Sequence, residues 1–274
     1  MWTRRELKDR AKPAFRKNYW KCVLVALVLM ILVDGATSIS GSGGGNAVNW
    51  KLDLSPDVLL EGNTDSYEDD YYSGFQENED TLGGLLEDIS PAAAALIMTL
   101  GAGFILVFVL IMLAIQIFVC NPIEVGGCCF FVENTGEEAN PGPGRLFHAF
   151  QSGSYGNIVM TVFLRNLYTV LWTMLLIVPG IVKGYEYRMI PYILAESPDM
   201  DRREVFRLSK EMMDGQKWNA FVLDLSFIGW DILSAFTFGL VGIFWTNPYR
   251  YATNAELYLT LKSGNQGYDK NLYF

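Results

Sequence analysis

The chain has 274 residues, 51% of them hydrophobic and only 19% charged, with 17 Phe, 14 Tyr and 7 Trp; a soluble domain carries nearer ~25% charge. The formal charge of −9 is concentrated: residues 51–88 hold 12 of the 30 acids and one of the 21 bases, which leaves 20 bases against 18 acids elsewhere. That balance excludes a basic nucleic-acid-binding domain, and four Cys in a chain this long exclude a disulfide-built secreted module.

Taken in order, residues 1–40 give a basic arm and a first span. Arg4, Arg5, Lys8, Arg10, Lys12, Arg16 and Lys17 precede an apolar run at 19–39, interrupted only by Lys21 and Asp34. At ~1.5 Å per residue the run covers a ~30 Å hydrocarbon core. It is too long for the apolar region of a cleaved signal peptide, and no clean small-residue cleavage site follows. Residues 41–90 read as an acidic extracytoplasmic loop behind a flexible Gly/Ser linker at 41–45. Its Asp65, Glu68, Asp69, Asp70, Glu77, Glu79 and Asp80 suit Ca²⁺ or a cationic peptide, but not at the spacing of a calcium loop; a solvated loop is the plainer account.

The run at 91–120 carries no charge, exceeds the ~20 residues a crossing needs, and forms a second span that must tilt or project. Residues 121–200 hold a cytoplasmic loop and a second hairpin, with apolar blocks at 158–178 and 181–195. Residues 201–262 begin with the basic cluster Arg202, Arg203, Arg207, Lys210 and Lys217 and continue as a third hairpin, 218–240 and 241–261. The tail, 263–274, ends in Asn271, Leu272, Tyr273 and Phe274, which resembles a protease-cleavage tag and takes no part in the functional argument. The expected fold is therefore an all-α, polytopic membrane helix bundle of about six spans in three hairpins. Both basic clusters fall inside, so both termini are expected in the cytoplasm of a bacterial plasma membrane.

An internal repeat underlies the pattern. An offset of 59 residues superimposes Phe147 on Phe206, Gly156 on Gly215, Leu164 on Leu223, Gly180 on Gly239 and Tyr192 on Tyr251. An offset of 198 superimposes Leu7 on Val205, Lys12 on Lys210, Trp20 on Trp218 and Leu24 on Val222. The second helix of each hairpin carries a kinking proline and, four residues later, a small residue: Pro122 and Gly126, Pro191 and Ala195, Pro248 and Ala252. Because every unit starts on the same side, the repeat is parallel, unlike the inverted repeats of many secondary transporters. Each unit opens with an amphipathic segment, Leu7, Ala11 and Phe15 in one and Val205, Phe206, Leu208, Met212 and Met213 in another, expected to lie on the membrane with its basic side toward anionic headgroups. Docking of a soluble partner is the alternative use of such a helix.

These residues also carry a family likeness. The opening Arg5, Glu6, Leu7 and Lys8 with Ala11, Tyr19 and Trp20, then Leu171 and Trp172 up to Pro179, Gly180 and Ile181, resemble the DUF975 integral membrane family of Firmicutes. So do Pro191 with the five residues after it, Ser209, Lys210, Met212, Met213 and Gly215, and Pro248, Tyr249, Thr253, Ala255 and Tyr258. The likeness spans nearly all the chain except 41–90 and is similar, further off, to the membrane domain attached to some glycerophosphodiester phosphodiesterases. It implies fold and location, and no catalytic residue.

Ionisable groups inside a span are costly and are functional candidates by default. Arg165 and Asp224 occupy repeat-equivalent positions and are expected to pair, either as glue between hairpins or on an ion or substrate path. Lys183, Glu186, Arg188, Asp231, Arg250 and Glu256, with Asn247 and neighbouring tyrosines, would line a polar ligand-binding cavity if they face inward. Lys183 and Glu186 lie three apart on one helical face and can pair there, while Arg188 and Arg250 lie near prolines that free backbone carbonyls. No catalytic residue, metal site or cofactor is expected: His148 is the single histidine, and no glycine run is accompanied by the Lys and hydroxyl of a phosphate-binding loop.

Two functions remain, with membrane lipids as partners in both. One binds or transports a small solute, lipid or peptide in an intramembrane cavity; the other is a scaffold whose cytoplasmic face recruits an enzyme or an export ATPase. A transporter needs an open cavity lined by Glu186, Arg188, Asp231 or Arg250, whereas a scaffold closes those charges into pairs. An intramembrane enzyme ranks behind both, and the sequence assigns no oligomeric state.

Overall fold

The computed structural model describes residues 2–34, 91–136 and 139–265, and no strand occurs among them. The acidic loop at 41–90 and the end of the tail lie outside the described residues. The chain divides into two units, 50–113 and the remainder. Among the described residues the first unit consists of most of α3 (Pro91–Ile115), an apolar helix exposed at every position from Met98 onward.

The second unit begins with α1 (Arg4–Lys17), capped by Thr3, whose Oγ1 accepts from the Glu6 N–H at 3.2 Å. The α2 helix (Tyr19–Leu29) follows, and α4 (Asn121–Asn134) resumes beyond the linker. Then come the short α5 (His148–Gln151), the long α6 (Tyr155–Leu175), α7 (Ile177–Glu186), α8 (Ile190–Glu196), α9 (Arg202–Met213), α10 (Lys217–Leu225), α11 (Ile228–Phe236) and α12 (Asn247–Asn265).

Pro122, Pro191 and Pro248 each stand second in a helix, α4, α8 and α12. A proline lacks the N–H that a helix interior requires but is at ease in a first turn, so each ends one helix and starts another. A π-helical turn precedes two of them, Gln116–Cys120 and Gly242–Thr246, and a hydrogen-bonded turn at 187–189 precedes the third. These breaks matter for the span count. Three stretches, Met98–Asn134, Tyr155–Leu175 and Lys217–Phe236, are long and apolar enough to cross a membrane, which is consistent with a membrane protein. Of the other expected crossings, Tyr19–Val33 is shorter, 181–195 is split between α7 and α8, and most of 241–261 lies in α12, whose Ala252, Ala255, Leu257 and Tyr258 are buried in protein.

The core of this unit packs α12 against α1, α2, α4 and α9. The small residues after the prolines permit close approach. A Cβ on Gly126 would lie 2.0 Å from the Leu146 carbonyl oxygen, and one on Gly127 would meet the Leu29 side chain at 2.6 Å. The apolar sides of α1 and α9 are spent here too: Leu7, Ala11, Phe15, Val205 and Met213 are buried against protein. This corrects the expectation that they lie on lipid, since their apolar residues complete the core.

Above the core stand two hairpins, α6–α7 and α10–α11. The first turns at the single extended residue Leu176, where Gly180 lets α7 ride against the backbone of Thr173. The second turns at Phe238 and Gly239, with φ of 49° and 80°. Only Gly enters that left-handed region freely, so the aromatic at 238 is a local strain.

Candidate functional site

The charges expected to line one cavity are distributed among separate closed pairs. At the end of α7, Glu186 is 6% exposed and is surrounded by lysines: Lys183 Nζ donates to both carboxylate oxygens at 3.0 Å, Lys217 Nζ donates at 3.1 Å, and Lys210 Nζ lies 3.7 Å away. The Glu186 carbonyl accepts from Ser209 Oγ at 2.8 Å, which ties α7 to α9.

Arg188 and Asp224 form a second pair, with guanidinium nitrogens donating at 2.6 and 2.8 Å. Tyr185 donates to the same carboxylate at 2.9 Å and Arg188 donates onward to Asn254 at 2.9 Å, so α7, α10 and α12 meet at one point. Arg165 is engaged elsewhere. It donates to both oxygens of Glu124 at 2.8 Å and to its neighbour Asn166, whose amide reaches Asn121. The expected pairing of Arg165 with Asp224 is therefore overturned. Arg165 on α6 takes its partner from α4, and Asp224 on α10 takes its partner from the turn that follows α7.

Arg250 donates to Asp231 at 2.7 and 2.8 Å and lies over the Phe227 ring, 5.2 Å from its centroid. Lys8 approaches the same ring at 4.1 Å and donates to the Ser226 carbonyl at 3.3 Å. Burial, together with Arg4, Arg250 and Lys12, pushes the Lys8 ammonium below its ordinary pKa. Glu256 pairs with Arg10 at 2.9 Å, and Asn247 directs its amide to the Met30 sulfur. The prolines thus do not hand free carbonyls to Arg188 and Arg250; carboxylates take both guanidiniums. Charge-assisted bidentate bonds are the stronger option in a low dielectric.

Sequence reasoning missed Glu124, although a signal was available: it stands two residues after Pro122, as Arg250 stands two after Pro248. It also missed a pocket of about 810 Å³ beside the N-terminal half of α9, bounded by Arg202, Arg203, Phe206 and Lys210 on α9, by Tyr168 on α6 and by Tyr187. Its aromatic wall is built edge to face, with Phe206 edge-on to Tyr168 and Tyr187 at 5.7 and 5.2 Å. Among the described residues no group of three or more metal-ligating side chains converges, and all four thiols are buried and free.

Helical throughout the described residues, with three helices of membrane-crossing length and apolarity and with Arg165, Arg188 and Arg250 each paired with a carboxylate, the chain is consistent with a membrane protein. The family model described as protein of unknown function (DUF975) matches residues 93–265, and the chain belongs to that family. No curated protein and no solved structure matches it.

Proposed function

We propose that the chain is a multi-pass protein of the bacterial plasma membrane that works as a non-transporting scaffold, presenting α1 and α9 to a partner on the cytoplasmic side. The observation that carries this reading is the closure of Arg165–Glu124, Arg188–Asp224, Arg250–Asp231 and the lysine cage of Glu186. A conduit needs charges that can exchange a protein partner for solute or water, and these four are each held by two or more charge-assisted bonds or contacts.

The scaffold reading includes six crossings as three parallel repeats, with both termini inside. It is supported by the recurrence of the proline-started helix, by Leu7 and Val205 being equally buried, and by Trp20 and Trp218 being 72% and 71% exposed at equivalent places. Tryptophan at such a place suits the headgroup level. The test is labelling of Tyr185→Cys and Asn254→Cys in sealed vesicles with a membrane-impermeant maleimide. Closed pairs leave both thiols unlabelled from either side; rapid modification from one side would replace the scaffold with a conduit.

A further inference from the structure

The pocket beside α9 holds positive charge that the protein does not neutralise. Arg207 is taken by Glu204 and Glu211, and Asp201, the one carboxylate lining the pocket, accepts from the Arg203 N–H at 3.0 Å. The guanidiniums of Arg202 and Arg203 have no carboxylate partner among the described residues, and Lys210 lies 3.7 Å from Glu186 and over the Tyr187 ring, 5.9 Å from its centroid. Two arginines and a lysine around a cavity of about 810 Å³ match the oxygens of a phosphate group, which guanidinium forks grip bidentately.

The other wall is apolar and continues out of the pocket. Leu164 and Tyr168 line it, and Leu171 and Leu175 follow at the i+7 and i+11 positions of α6, 52% and 69% exposed. The same face of the helix is therefore presented over eleven residues, a track of ~16 Å, about one leaflet of a ~30 Å core. Inorganic phosphate would use the arginines and leave this track bare; a phospholipid uses both.

We propose that this pocket is a binding site for one anionic glycerophospholipid, its phosphodiester held by Arg202, Arg203 and Lys210, its glycerol region against Tyr168, Tyr187 and Phe206, and an acyl chain along α6. The assignment rests on α6 lying in lipid, as the scaffold reading has it. It goes further by naming a ligand class and a stoichiometry of one. Occupancy would also fix the angle between α6 and α9, coupling lipid charge to the face offered to a partner.

The full chain, stripped of lipid in a neutral detergent, is titrated with phosphatidylglycerol, phosphatidylcholine, glycerol 3-phosphate or inorganic phosphate, and bound lipid is counted by native mass spectrometry alongside the melting temperature. One phosphatidylglycerol is expected to be retained and to raise the melting temperature, with phosphatidylcholine and both water-soluble phosphates ineffective. Arg202→Gln with Arg203→Gln should weaken retention by about 25-fold, roughly fivefold per charge. Arg4→Gln with Arg16→Gln removes the same charge from α1 and should leave retention unchanged. Equal retention of phosphatidylcholine, equal protection by inorganic phosphate, or equal loss in the α1 variant overturns the site. None of those results touches the membrane reading, which fails separately if the chain is monodisperse in buffer without detergent.

Discussion

Residues of one chemical kind live two different lives in this molecule. In the body formed by α1, α4, α8, α9 and α12, Leu7, Phe130, Leu194 and Met213 are 0% exposed, whereas at the hairpin tips Met174 is 82% and Phe238 83% exposed. The body buries its apolar surface in protein; the tips have none to bury it in. Soluble monomers rarely keep so continuous an apolar surface open to water, so the exposed tips are consistent with a membrane protein. Arg165–Glu124, Arg188–Asp224 and Arg250–Asp231 tie the arms to the helices around them.

The comparison is broken most severely from inside the body. Gly126→Ala sets a methyl 2.0 Å from the Leu146 carbonyl oxygen, a backbone atom that cannot rotate aside. The expected loss is in the exceptional class above ~4 kcal/mol, seen as failure to recover a monodisperse peak in detergent. In the α11 arm, Gly229 has nothing within 4 Å of its Cβ position, and Gly229→Ala should be neutral or raise stability by up to ~1 kcal/mol through the helix preference for Ala. Equal losses at the two glycines would erase the distinction between the zones.

At the boundary, Asp224→Ala strands Arg188 and should cost ~3–5 kcal/mol, with the exchange of Arg188→Asp and Asp224→Arg recovering part of it. Arg165→Ala combined with Asp224→Ala should give additive losses of melting temperature, because the two side chains belong to different pairs. Rescue in that double variant would restore the pairing that the repeat alone suggested.

What was legible in advance follows the same division. Long apolar runs announce themselves even with a single charge inside, so the all-α class and the α6 and α10–α11 arms could be read from the sequence. Pro122, Pro191 and Pro248 were expected as kinks, and the structure places each at a helix start. The ion pairs were legible one residue at a time: Arg165 and Asp224 stood out as costly charges, but a repeat states which positions correspond, not which ones touch. Glu124 escaped notice because it follows the uncharged run at 91–120, outside the stretch where a charge stands out as costly. The fate of α12 was opaque for a related reason. Tyr249, Ala252, Ala255 and Tyr258 make a stripe that lipid and a protein neighbour would satisfy equally, and only packing against α1 and α4 decides between them.

At the tips, Ile177→Lys tests the choice of solvent directly. A charged residue within hydrocarbon costs up to ~3 kcal/mol, less if the side chain snorkels to an interface. In detergent, whose micelle adapts, the same variant should melt within a degree or two of the parent, while its insertion into vesicles falls. A loss of equal size in both media would place Ile177 against protein.

The smallest effect discriminates most finely, because it sits at the joint between the α6–α7 arm and the body. Ser209 is buried, and its hydroxyl donates to the Glu186 carbonyl, one of the last carbonyls of α7, which its own helix leaves without a donor. Ser209→Ala removes the donor and keeps the shape, so the net cost should be ~1 kcal/mol, toward ~2 if the carbonyl finds no water in its place. The lysine cage around the Glu186 side chain is untouched by the change, so the loss reports the α7–α9 tie alone. Since both partners are buried in protein, the shift in melting temperature should be the same in detergent and in vesicles, the opposite of what Ile177→Lys shows. A Ser209→Ala shift that appeared only in vesicles would mean that lipid reaches α9 where the core now stands.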